Sequence, residues 1–273
     1  MKSLIRKLFI FVVFTLILSL YLLKRSKYKT YFTSTEQIEG QAYKIQRQYV
    51  KLNYTFPHDW SLLLNPEYSL CGNQNEKKMF TFVAFVILAP HHFEQRQKIR
   101  ETWANKKTSD KFKVFFMLGL SHDQNVNQKL KNEALIHNDI VQETYYDSFH
   151  NMTLKVMGAF SWISKYCSNS HFVLRINDDV VVNTYRLIEY LDGLVSANQH
   201  KNKLIGSLFY GQGPHRNPKS AFYVPVEVFP GNDYPPFPSG IAYVISGELA
   251  KKFFEYSLNF YLRIYSDYLE GIV

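Results

Sequence analysis

Between residues 81 and 197 the sequence switches repeatedly between two hydrophobic periods, and a chain that does so has few ways to bury itself. Thr81-Phe-Val-Ala-Phe-Val-Ile-Leu88 is an apolar run of strand length, the pattern of a strand covered on both faces. Residues 95–103 read as a short helix, 113–118 as a second strand, 125–138 as a polar helix and 139–142 as a short strand. Two further helices carry clear faces. Residues 153–166 set Leu154, Met157, Phe160 and Ile163 at three-residue intervals, and 184–197 set Leu187, Ile188, Leu191, Leu194 and Val195 along one side. Between them, residues 172–176 form another strand candidate. Strands alternating with helices predict an α/β fold with a largely parallel sheet. No internal repeat or low-complexity tract interrupts the pattern.

The 273 residues give room for one full α/β domain and an appendage. The formal charge of +9 invites a nucleic-acid partner, but its placement argues against one. The first thirty residues hold seven Lys and Arg and no acid, so +9 less 7 leaves +2 for residues 31–273. A groove for a phosphate backbone needs more. Those charges flank residues 8–23, sixteen residues without a charge, slightly short of the ~20 that span a bilayer. A cleaved signal peptide would fit too, except that the run ends in bulky Leu20-Tyr21-Leu22-Leu23 where small residues are needed. An uncleaved anchor is therefore expected at 8–23, with a tail at 1–7, a stem at 24–75 and a folded domain at 76–273. Asn53-Tyr-Thr55 and Asn151-Met-Thr153 are glycosylation acceptor patterns, each weak alone. Cys71 and Cys167, the only cysteines, permit either one disulfide or two buried thiols.

The strand ending at Ile176 runs directly into Asn177-Asp178-Asp179 and Val180-Val-Val-Asn183. Ligands of open α/β sheets bind beyond strand carboxyl ends, and two acids there call for something positive. Carboxylate oxygens suit Mg²⁺ or Mn²⁺ held together with substrate phosphates. The competing reading is a solvated turn capping the next helix. The residues alone leave both open.

Five ordered segments, spread over about three-quarters of the chain, resemble the β1,3-galactosyltransferase family. That family includes β1,3-N-acetylglucosaminyltransferases and is related to fringe. The segments are Arg96-Gln-Lys-Ile-Arg100-Glu-Thr-Trp103, Phe115-Phe-Met-Leu-Gly119, Tyr146-Asp147 through Asn151-Met-Thr153-Leu-Lys155, Arg175-Ile-Asn177-Asp178-Asp179 through Asn183, and Tyr234-Pro-Pro through Gly240-Ile-Ala-Tyr243-Val-Ile-Ser246. The resemblance implies a GT-A-like fold, a UDP-galactose or UDP-N-acetylglucosamine donor, a Mn²⁺ cofactor and inversion at the anomeric carbon. It implies a Golgi protein held by one helix, type II, with its domain in the lumen, acting on a glycan of protein or lipid. By position it makes Asp179 the metal ligand and Asp267 the base that takes the acceptor hydroxyl's proton, with Glu270 in reserve. It places Arg96, Arg100, Asn177, Asp178, Gly240 and Tyr243 around the donor, and it supports a Cys71–Cys167 disulfide.

The pattern also breaks. Asn177 replaces an acid of the metal motif, Ser266 replaces the glutamate before the presumed base, and Phe222 and Pro238 stand where many relatives have Trp and Cys. Relatives continue past the glycine matching Gly271, so part of a closing layer and a histidine metal ligand are expected to be missing. Two readings follow: an active transferase with a thinned metal site, or a silent membrane-tethered relative that binds or forms complexes.

Overall fold

The computed structural model describes residues 61–66, 71, 79–105, 107–220 and 222–258. Residues 1–7 and 8–23, most of the expected stem, Asn53, Asp267 and Glu270 lie outside the described residues. No described helix is long and apolar enough to cross a membrane.

Among the described residues, seven strands make one sheet: β1 Leu62–Leu64, β2 Phe80–Ile87, β3 Phe112–Leu120, β4 Ile140–Tyr146, β5 Ser170–Asn177, β6 Leu204–Phe209 and β7 Phe237–Ser246. The order across the sheet is β1-β4-β3-β2-β5-β7-β6. β2 pairs parallel with β3 and β5, and β3 pairs parallel with β4. β1 and β7 run antiparallel to their neighbours. All eight residues of β2 are buried, which is why its sequence shows no alternation: it lies at the centre with both faces covered. This mixed, mostly parallel sheet fits a GT-A-like fold.

The helices are α1 Phe93–Glu101, α2 Gln124–His137, α3 Met152–Tyr166, α4 Thr184–Ser196 and α5 Gly247–Ser257. α3 and α5 pack with Val83, Phe85, Phe115, Val173 and Ile245 on one face of the sheet. α1, α2 and α4 pack with Phe82, Ala84, Phe116, Leu174 and Ile176 on the other. Each fully buried Phe or Leu stabilises this sandwich by roughly 1.5–3 kcal/mol. The strands and helices expected between residues 81 and 197 are present, with ends moved by a few residues.

β1 comes from within the span expected as stem. Its Leu62 lies opposite Glu143 of β4, and Asn65 accepts a 2.8 Å hydrogen bond from the indole of Trp162 in α3. Three leucines are too short a run to show a period, so nothing local marks them as a strand. Nearby, Cys71 and Cys167 form a disulfide across 96 residues of sequence. By chain entropy, a cross-link closing a loop near that length stabilises by about 4–5 kcal/mol.

Candidate active site

Because β2, β3, β4 and β5 run the same way, their carboxyl ends share one edge. Ile87 pairs with Asn177, so the segment after β2 faces the turn after β5. Antiparallel β7 places Ala242 opposite Ile176 and so brings Gly240 up to this edge. One buried ion pair fixes the rim. The Lys155 ammonium of α3 lies 2.8 Å from the Asp147 carboxylate and donates to Leu88 O at 2.9 Å. The same carboxylate accepts the Gly119 amide at 2.9 Å. The ends of β2, β3 and β4 are thereby tied to the start of α3.

At the centre of the edge lies the acidic turn. Asp178 Oδ2 is 2.6 Å from His92 Nδ1, with the two side chains 16% and 32% exposed. Asn177 Oδ1 accepts a 2.7 Å hydrogen bond from Nη1 of the fully buried Arg175. Asp179 is exposed. Asn183 caps α4 by accepting from the Arg186 amide at 3.1 Å. The helix-capping role thus falls to Asn183, which leaves the two aspartates outside it.

Among the described residues, no group of three or more His, Cys, Asp or Glu side chains could hold a metal. The turn is therefore not a closed cage. Its chemistry fits a hard divalent ion bound by one exposed carboxylate together with substrate phosphates, which is how such ions are commonly held. Asp179 is the exposed carboxylate of the turn, whereas Asp178 already faces His92.

Arg96 and Arg100 lie one helical turn apart on α1, and the tertiary structure gives both guanidinium groups acidic partners. Arg96 is fully buried and binds Glu133 through Nε at 2.9 Å and Nη2 at 2.7 Å. Arg100 binds Glu133 at 2.7 Å and grips Asp139 with two hydrogen bonds of 2.8 Å. Burial works against the charge on Arg100, but Asp139 and Glu133 outweigh it and raise its pKa. For Glu133, burial pushes the pKa up while Arg96 and Arg100 pull it down further. Arg96 also points Nη1 at Ala89 O, 3.4 Å away, on the segment that carries His92. Tyr243 is buried, paired across the sheet with Arg175, and Gly240 is partly exposed near the edge. Trp103 is buried among the apolar residues beneath α1, a core position.

At the far side of the rim, Asn151 precedes α3 and donates through its amide to Tyr146 O at 2.7 Å. Thr153 of the same acceptor pattern is buried. Sequence reasoning missed His92 and the role of Arg175. His92 follows a buried strand, which places it on the functional edge, but its meeting with Asp178 spans 86 residues and left no local mark.

A family model described as galactosyltransferase matches residues 94–272. The β-1,3-galactosyltransferase 1 of Mus musculus is 31% identical over 218 residues, covering 79% of this chain and 65% of that protein. The lactosylceramide 1,3-N-acetyl-β-D-glucosaminyltransferase A of Danio rerio is 30% identical over 201 residues, covering 70% of this chain and 53% of that protein. This chain thus spans less than two thirds of the length of these curated relatives. Among solved structures, 4-diphosphocytidyl-2C-methyl-D-erythritol synthase of Anaerococcus prevotii aligns with a TM-score of 0.35 and 15% identity, over 70% of this chain and 80% of that one. So slight a likeness carries no argument.

Proposed function

Because this chain belongs to the galactosyltransferase family, we propose that it is an inverting hexosyltransferase, moving galactose or N-acetylglucosamine from a UDP-sugar to a glycan hydroxyl in β1,3 linkage. The observation that carries the reading is the exposed Asp179, beside the His92–Asp178 pair, at the carboxyl edge of a mostly parallel sheet and inside the family match.

Asp179 would hold Mn²⁺, which offsets negative charge on the departing diphosphate. Asp178, kept in place by His92, and Asn177, kept in place by Arg175, offer oxygen atoms to the ribose or to bound water. Gly240 and Tyr243 back the donor's sugar. Arg96 acts on the donor from within its carboxylate network, by bonding Ala89 O on the segment that carries His92, and Arg100 braces the Glu133 that holds Arg96. The acceptor oxygen attacks the anomeric carbon from the side opposite UDP and passes its proton to Asp267, or to Glu270. Residues 8–23 anchor the chain once through the Golgi membrane as a type II protein, with the domain in the lumen and glycans on Asn53 and Asn151. Acceptors are glycans of proteins or lipids.

A second reading, a silent relative that serves as a binding partner, is favoured by one feature. Asn177 and Asp178 are each turned to a protein partner, which leaves a single exposed carboxylate in the turn. Calorimetric titration of the full chain with UDP, with and without Mn²⁺, separates the two. Saturable binding that needs Mn²⁺ is expected of the transferase. A folded chain that binds no UDP under any condition sinks that reading and leaves the silent relative.

A further inference from the structure

Between β6 and β7 the chain makes an excursion from residue 210 to 236 that the transfer chemistry above does not use. It is tightly held. Arg216 donates to the carbonyls of Val224 at 2.7 Å and Gly231 at 2.9 Å, and the Tyr234 amide donates to Gln212 O at 2.8 Å. Val224, Val228, Phe229 and Tyr234 form a small apolar cluster with Phe237 at the start of β7. The segment is thus built to hold a shape.

Its tip reaches across the sheet edge. Phe222 meets Phe149, in the turn Phe149–Asn151 after β4, with ring centroids 5.5 Å apart and planes at 76°. His215 lies 5.8 Å from Phe222 on the excursion side. In the sheet, β4 lies on one side of β2 and β5, while β6 and β7 lie on the other. A contact between Phe149 and Phe222 therefore spans the edge that carries the acidic turn. A chain of contacts fixes the neighbourhood: Asn177 pairs with Ile87, the next carbonyl accepts from Lys155, and Lys155 pairs with Asp147, two residues before Phe149.

The rings are not sealed in a core. Phe149 is 38% exposed, His215 is exposed and Phe222 partly so. A flat apolar ring, half open and rigidly mounted, offers a large contact face at low entropic cost. A pyranose presents a matching flat face of C–H groups while its hydroxyls stay in water. We infer that Phe149 and Phe222 form the stacking wall for the acceptor's pyranose ring, an inference that rests on the transferase reading above.

The test is saturation-transfer NMR on the full chain with UDP and Mn²⁺ present, using methyl β-galactopyranoside and methyl β-N-acetylglucosaminide as probes. UDP affinity is titrated in parallel. Transfer to pyranose ring protons is expected from the wild type, retained in Phe222→Trp and reduced at least fivefold in Phe222→Ala, with UDP affinity changed less than twofold throughout. If Phe222→Ala fails to fold, Phe222→Leu, which keeps the bulk but lacks the flat face, is expected to show the same loss. The inference is overturned by an unchanged glycoside signal in Phe222→Ala or Phe222→Leu. It is equally overturned by equal loss of UDP binding, which would make the contact a brace, or by no glycoside signal from a chain that binds UDP. A chain that binds neither sinks both readings, whereas Phe222-dependent glycoside binding without UDP binding sinks the transferase and leaves the two rings as a sugar-stacking wall with no transfer to serve.

Discussion

The cluster of Arg96, Arg100, Glu133 and Asp139 and the turn from Asn177 to Asp179 use similar side chains in opposite circumstances. In the first, Arg96 and Asp139 are buried, Arg100 and Glu133 are largely covered, and each charged group has a partner within 2.9 Å. In the second, two aspartates stand at an exposed edge with His92 as the imidazole partner of one of them. A buried charge must be compensated by the protein itself, because nothing else can reach it. A charge at a strand end can be left for a ligand. The difference teaches that charge alone does not mark a binding site here; incomplete compensation at an open edge does.

The comparison is open to direct attack. The largest effect is expected from Glu133→Gln, which leaves the buried Arg96 without its carboxylate partner while Arg100 keeps Asp139. Breaking such a pair on one side costs about 3–5 kcal/mol, read as a large drop in the denaturant midpoint. A change of under 1 kcal/mol would show that the network is not the closed unit described.

A third acid sharpens the contrast. Glu143 of β4 is buried, its Oε2 has no hydrogen-bond partner, and burial raises its pKa from 4.5 to about 7. An acid with a raised folded-state pKa contributes its stability fully below the unfolded value. That contribution is lost as pH rises through the folded value, here between 4.5 and about 7. The shift corresponds to about 3 kcal/mol. Thermal melts of Glu143→Gln should therefore lose most of the decline across that window that the wild type shows. Parallel profiles for the two proteins would refute a buried, titrating Glu143.

At the open turn, Asp179→Ala is expected to weaken Mn²⁺-dependent UDP binding by about thirtyfold, roughly 2 kcal/mol, with the fold intact. Unchanged binding would move the metal elsewhere. The smallest effect is expected from Asn177→Asp. Restoring an acid should raise Mn²⁺ affinity about threefold, because the new carboxylate stays partly engaged by Arg175. No gain, measured by manganese electron paramagnetic resonance, would show that Arg175 holds position 177 away from the ion.

Sequence alone determined the layered order from β2 to α4 and the acidic turn at the end of β5. Both are local: the apolar period of a segment follows from which of its own faces are buried, and the turn is contiguous with its strand. The cues thinned where local pattern thinned. β1 is three leucines, and the Gly240–Tyr243 stretch was legible only through the family resemblance, although it lies within the ten residues of β7. Tertiary structure decided which charges are spent and which are available. The resemblance placed Arg96 and Arg100 around the donor, but their carboxylate partners Glu133 and Asp139 come 37 and 39 residues later, where no local pattern announces them. Asp178 and His92 are farther apart still, and Phe149 meets Phe222 only because a long excursion crosses the edge. A side chain's partner depends on how whole elements pack, and the spacing of residues along the chain does not encode that.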